Sequence, residues 1–135
     1  MRFRHIIVLL SLLLVAGAAS ARKAELVNPG PVAVPAGMSE QQVVKDVKRA
    51  LLGRGWVVAL EQPGHIESTL NLRDHVARID IKYDTREIAI AYLDSDNLDY
   101  REKNGKPWIH PNYLSWIDYL VQDMTTNMQL TATEQ

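Results

Sequence analysis

Cysteine is absent from the chain, which excludes disulfides, thiol catalysis and zinc-thiolate sites. It also excludes the lipidated cysteine that begins a bacterial lipoprotein. An excess of positive charge is missing as well. The 15 Lys and Arg, less two in the N-terminal leader, face 16 Asp and Glu, and so acidic a balance argues against an electrostatic grip on nucleic acid. No segment after residue 21 is apolar enough to span a bilayer. There is no internal repeat, no Gly-x-Ser-x-Gly elbow, no His-Glu-x-x-His helix and no phosphate-binding glycine loop, so the sequence offers no catalytic motif.

What the chain does have begins at its N-terminus. Arg2, Arg4 and His5 form a basic n-region, Ile6 to Val15 is an apolar run broken only by Ser11, and Ala19-Ser20-Ala21 has the form that signal peptidase cleaves. The apolar run is too short for a membrane of about 30 Å. Residues 1–21 are therefore expected to be a cleaved signal peptide, delivering the mature chain to the periplasm or the medium. What remains is the size of one compact domain.

Residues 22–37 carry Pro29, Gly30, Pro31, Pro35 and Gly37, which exclude a helix and predict an extended arm. Val32 and Val34 alternate with small residues and suit a sheet edge; a flexible leader is the competing reading. From residue 38 to 130 a single α+β domain is expected, with a frayed tail over 131–135. Ser39 and Gln42 have capping-box spacing, with Met38 and Val43 as the staple. Val43, Val44, Val47, Ala50 and Leu51 then form one helical stripe ending at Gly53 and Gly55.

From Trp56 the apolar period becomes two. Trp56, Val58 and Leu60 alternate up to Pro63-Gly64, and Ile66, Leu70 and Leu72 resume. Past Asp74 the parity switches, to Ala77, Ile79, Ile81 and Tyr83. A one-residue slip would turn every side chain to the wrong face, so a tight turn at Arg73-Asp74 is required. It sets Leu72 opposite His75, Leu70 opposite Ala77 and Ser68 opposite Ile79. After a turn at 84–87, Ile88, Ile90 and Tyr92 make a fourth strand. Residues 94–106 read as a polar loop, and a last helix begins near Pro111. Its apolar face holds Tyr113, Trp116, Ile117, Leu120, Met124 and Met128. The expected architecture is helix, four-stranded antiparallel meander, helix, with both helices packed on one face of the sheet.

Arg54-Gly55-Trp56, Pro63-Gly64-His65-Ile66-Glu67, Leu72-Arg73-Asp74-His75-Val76-Ala77, Ile79-Asp80-Ile81-Lys82-Tyr83-Asp84, Tyr92-Leu93-Asp94-Ser95 with Asn97-Leu98, and Ile109-His110 with Tyr113 and Trp116-Ile117 resemble a family of small exported proteobacterial proteins. The resemblance runs from about Pro31 to Leu120. The family's members are labelled secreted proteins or lipoproteins of unknown function, so it implies export but no activity, cofactor or catalytic residue. The missing lipidation cysteine separates this chain from the lipoprotein-labelled members.

Among chemical candidates, His65 and Glu67 share a strand face at i, i+2 and would hold a divalent metal if another ligand came close. No histidine pair has the spacing of a known metal motif, and no metal or cofactor is assigned from the sequence. Asp94, Asp96, Asp99 and Glu102 fail the EF-hand pattern at three positions. His110 sits where a cap would and Tyr113 and Trp116 lie on the buried face of the last helix, so the trio is expected to dock that helix on the sheet, and loss of the Trp116 ring to cost about 3–5 kcal/mol. The charged sheet face, with Glu67, Thr69, Asn71, Arg78, Asp80 and Lys82, is the expected contact surface. Arg73, His75, His110, Glu67, Arg78 and Lys82 are the candidate binding residues; no catalytic residue is assigned. The expected function is a non-catalytic binding or accessory module of the cell envelope with a protein partner. The alternative is a small-ligand or metal-binding periplasmic protein.

Overall fold

The computed structural model describes residues 23–135; the leader, with its expected cleavage after Ala21, lies outside them. The proline-rich arm is extended and stitched into two sheets. Strand β1 (Ala24–Glu25) and strand β2 (Val32–Ala33) are its paired segments. Val32 stands opposite Ile88 and the Val34 N–H donates to the Arg86 carbonyl at 2.9 Å, so the sheet-edge reading of this arm holds.

Helix α1 (Glu40–Gly53) starts at Ser39, whose Oγ accepts from the Gln42 N–H at 3.2 Å while the Gln42 side chain accepts from the Ser39 N–H at 2.9 Å. This reciprocal cap satisfies two otherwise orphaned donors. Val43, Val47, Ala50 and Leu51 are buried along one face.

Strands β3 (Trp56–Gln62), β4 (His65–Leu72), β5 (His75–Tyr83) and β6 (Glu87–Asp96) follow as successive antiparallel neighbours. The register at the Arg73-Asp74 turn pairs Leu72 with His75, Leu70 with Ala77 and Ser68 with Ile79, as the parity change demands. Among the described residues the fold is α+β with two helices and antiparallel sheets, but the expectation of a single four-stranded sheet is corrected. β2 adds a fifth strand at the β6 edge, giving the order β2-β6-β5-β4-β3. The polar stretch expected to be loop contains strands β7 (Arg101–Lys103) and β8 (Lys106–Ile109), which form a second, three-stranded sheet with β1. Their turn is Asn104-Gly105, both with positive φ (56° and 72°), the pairing that suits a two-residue hairpin.

Two bulges interrupt the alternation, and the first corrects the expected face of Leu60. Between Val58 and Leu60 the register shifts, so that Leu60 stands opposite Glu67 and Glu61 opposite Ile66. Leu60 therefore leaves the inner face, and Glu61 turns towards α1 to meet Lys48 Nζ at 3.1 Å. A second shift pairs Arg78 with Asp94 and Ile79 with Tyr92, leaving Leu93 as the extra residue. Each bulge reverses alternation in the rest of its strand.

Helix α2 (Pro111–Thr133) packs beside α1, and the two share one core with Ile66, Leu70, Ala77, Ile79, Ile81, Ile88 and Ile90 of the sheet. The tail expected to fray past Leu130 instead continues the helix to Thr133. The Thr131 hydroxyl donates to the buried Asp46 carboxylate at 2.6 Å. Arg54, just past α1, grips Asp123 of α2 with two hydrogen bonds of 2.7 and 3.2 Å and lies over the Tyr119 ring. Those bonds hold the Asp123 carboxyl below its ordinary range. No described helix is long and apolar enough to cross a membrane.

Candidate functional site

The inner face of the five-stranded sheet is used up by the core, which leaves the outer face for chemistry. β4 presents His65, Glu67, Thr69 and Asn71 there. β5 presents Val76, Arg78, Asp80 and Lys82, and the register sets His65 opposite Lys82, Glu67 opposite Asp80 and Thr69 opposite Arg78. Cross-strand partners share a face and approach within about 5.5 Å, so these residues form one continuous polar surface.

The Leu93 bulge completes that surface on one side. Without it Asp94 would follow Ile88, Ile90 and Tyr92 into the core; with it, Asp94 and Asp96 turn outward. Arg78 Nη1 donates to Asp94 at 2.6 Å and Nη2 to Asp96 at 3.2 Å. These hydrogen bonds, Asp94 first, raise the guanidinium pKa above its ordinary value. Ser95 stays on the other side and hydrogen-bonds the Tyr92 hydroxyl at 2.8 Å.

On the other side, the His65 Nε2–H donates to Asp80 Oδ1. Glu67 adjoins both. One ligand-type atom from each of His65, Glu67 and Asp80 lies within 4.8 Å of the other two, and all three residues are half-buried. The third ligand that the His65 and Glu67 pair lacked in sequence is thus supplied by Asp80 from the neighbouring strand. An imidazole nitrogen and two carboxylate oxygens make a donor set suited to a borderline divalent ion.

The other sequence candidates fall elsewhere. Arg73 is an exposed turn residue in the left-handed region (φ 55°). His75 shares the parity of the inner face, and its Nδ1–H donates to the Asn97 carbonyl at 2.6 Å. The Asn97 amide in turn reaches the Asp74 carbonyl at 3.3 Å, so this end of the hairpin is tied to the following loop. His110 caps α2, its Nδ1 accepting from the Asn112 N–H at 3.1 Å. The His75 ring lies 6.4 Å from both the His110 and Trp116 rings. Tyr113 is buried, which pushes its phenol pKa up. Trp116 is only partly buried, at the rim of a shallow depression with Arg54, Leu72 and Tyr119. His110 thus caps the helix and Tyr113 is buried on its inner face, while Trp116, expected to fill the space between helix and sheet, is corrected to the helix edge.

His110→Ala is expected to cost about 1 kcal/mol, the usual worth of an N-cap, and His110→Asp to restore most of it. Urea unfolding of the two variants measures the difference.

Sequence reasoning missed a second surface. Lys23, Arg101, Lys103, Asn104 and Trp108 line a depression of about 350 Å³ on the three-stranded sheet, where three cations beside an indole suit an anion. Arg101-Glu102-Lys103 is exposed throughout, so no alternation marked it as a strand.

Searches against protein-family models, curated proteins and solved structures find no match to this chain.

Proposed function

We propose that this chain is an exported, non-catalytic binding module of the cell envelope, and that the outer face of its five-stranded sheet is the contact surface. One observation carries the reading: no described element covers that face, yet it is built with care. Two bulges at Ala59 and Leu93 determine which side chains stand on it, and His65, Asp80 and Arg78 are fixed there by side-chain contacts. A surface that merely met water would need no such ordering, since exposed ion pairs contribute little to stability. The n-region, apolar run and Ala-x-Ala site of residues 1–21 support export, and the resemblance to small exported proteobacterial proteins supports an envelope setting.

A photo-cross-linking side chain at Thr69, on the outer face, is expected to capture one defined envelope protein in intact cells. The same side chain at Asp118, on the exposed side of α2, is expected to capture none. Capture from Asp118 alone, or from neither position, would overturn the proposal.

A further inference from the structure

Glu67 is a half-buried carboxylate to which no described residue offers a hydrogen bond or a cation, and it stands directly across the ladder from a second carboxylate, Asp80. Like charges placed opposite one another destabilise a sheet, and partial burial weakens the solvent screening that would relieve them. Asp80 is compensated on one side by His65. Lys82, across from His65, is exposed and pairs with neither carboxylate. Arg78, the other nearby cation, is committed to Asp94 and Asp96. Positive charge is therefore missing where a ring nitrogen of His65 and an oxygen from each carboxylate converge within 4.8 Å of one another.

We propose that His65, Glu67 and Asp80 bind one divalent transition-metal ion of the zinc type, the ion displacing the proton that His65 Nε2 shares with Asp80, which is moved to Nδ1 or released to solvent. Zinc takes an imidazole nitrogen and carboxylate oxygens at about 2.0–2.2 Å, so its ligands must lie closer together than the widest spacing here. Side-chain rotations of Glu67 and of the His65 and Asp80 pair would bring the three donors to that spacing, the pair opening its direct contact as the ion enters. The backbones themselves are held by the β4 and β5 ladder, which keeps the three side chains on one face. An imidazole ligand favours zinc and its neighbours over calcium and magnesium, which prefer all-oxygen shells, and the absence of sulfur disfavours copper(I). Three protein ligands on an open face leave a fourth position for water or for a donor from a docked molecule. The inference rests on the outer face being open, as proposed above, but not on a protein docking there. If purified protein binds zinc and Thr69 captures nothing, the metal site stands and the docking reading falls; the reverse result separates them the other way.

The test is calorimetric titration of the purified protein with zinc chloride, repeated with magnesium and calcium. Zinc is expected to bind at one ion per chain with micromolar affinity, unaffected by millimolar magnesium or calcium. Loss of an outer-shell partner at a metal site already costs 10–100-fold, so His65→Ala and the isosteric Glu67→Gln should each weaken binding at least about tenfold. Because Glu67→Gln keeps the shape of the side chain, it reads the site even if His65→Ala perturbs the fold. His75→Ala, at the other end of the hairpin, should bind as the wild type does. No saturable zinc binding by the wild type, or wild-type affinity in either His65→Ala or Glu67→Gln, would overturn the proposal.

Discussion

Trp56→Ala is expected to lower the stability of the fold by about 3–5 kcal/mol, the cost of deleting a large ring from a close-packed core. Trp56 opens β3 opposite Leu70 and is 1% exposed. It is the largest of the fully buried side chains, and the space it leaves is bounded by ladder and helices that relax little. A loss of that size is a large part of the 5–15 kcal/mol that holds a typical domain together. Trp116→Ala serves as the comparison. Because its ring is only partly buried, at the edge of the core, it should cost only about 1–2 kcal/mol, as truncations outside the closed core do. Urea denaturation of both variants checks the ordering; equal costs would mean that Trp116, as the sequence suggests, shares the core fully.

Thr131→Val is expected to cost about 2–3 kcal/mol although it preserves the shape of the side chain. Asp46 occupies a core-facing position of α1 and is 1% exposed. Its Oδ2 accepts the Thr131 hydroxyl at 2.6 Å, its backbone carbonyl accepts from Asn127 Nδ2 at 3.2 Å, and Arg49 stands 3.6 Å away on the same helix. Removing the hydroxyl leaves a buried charge short of a partner, and hydrogen bonds to charged groups are worth about 1.5–3 kcal/mol. Removing both partners is less harmful than removing one. A double-mutant cycle with Asp46→Leu and Thr131→Val should therefore show a coupling energy well above about 0.5 kcal/mol, the limit expected of independent sites. Simple additivity would show that α2 does not depend on this contact.

The helices and the central register were legible because they rest on strong local signals. Ser39 and Gln42 name the start of α1, and the parity switch at Arg73-Asp74 admits only one pairing of β4 with β5. That same pairing, followed one residue beyond Ser68 and Ile79, sets Glu67 opposite Asp80, so the metal-like cluster was implicit in the sequence once the hairpin register was accepted. The bulges at Ala59 and Leu93 were not legible, since nothing in local alternation distinguishes an extra residue from a strand end; the first put Leu60 on the wrong face, and the second hid the continuation of β6 through Asp94, read as loop. The second sheet was missed for a different reason. Its turn, Asn104-Gly105, is visible, but β7 is exposed on both faces and carries no period to read. Trp116 looked like core because helical spacing places it beside Tyr113 and Ile117; its position at the end of the sheet, past Leu72, is a tertiary fact that spacing does not contain.

The most direct test of the metal site on the outer face is an amide NMR map of the protein recorded while zinc is added. Shifts confined to β4 and β5 around His65, Glu67 and Asp80, with those of α2 and of the His75 and His110 end unchanged, are the expected result. Shifts centred on His75 and His110, or no shift anywhere at saturating zinc, would contradict it.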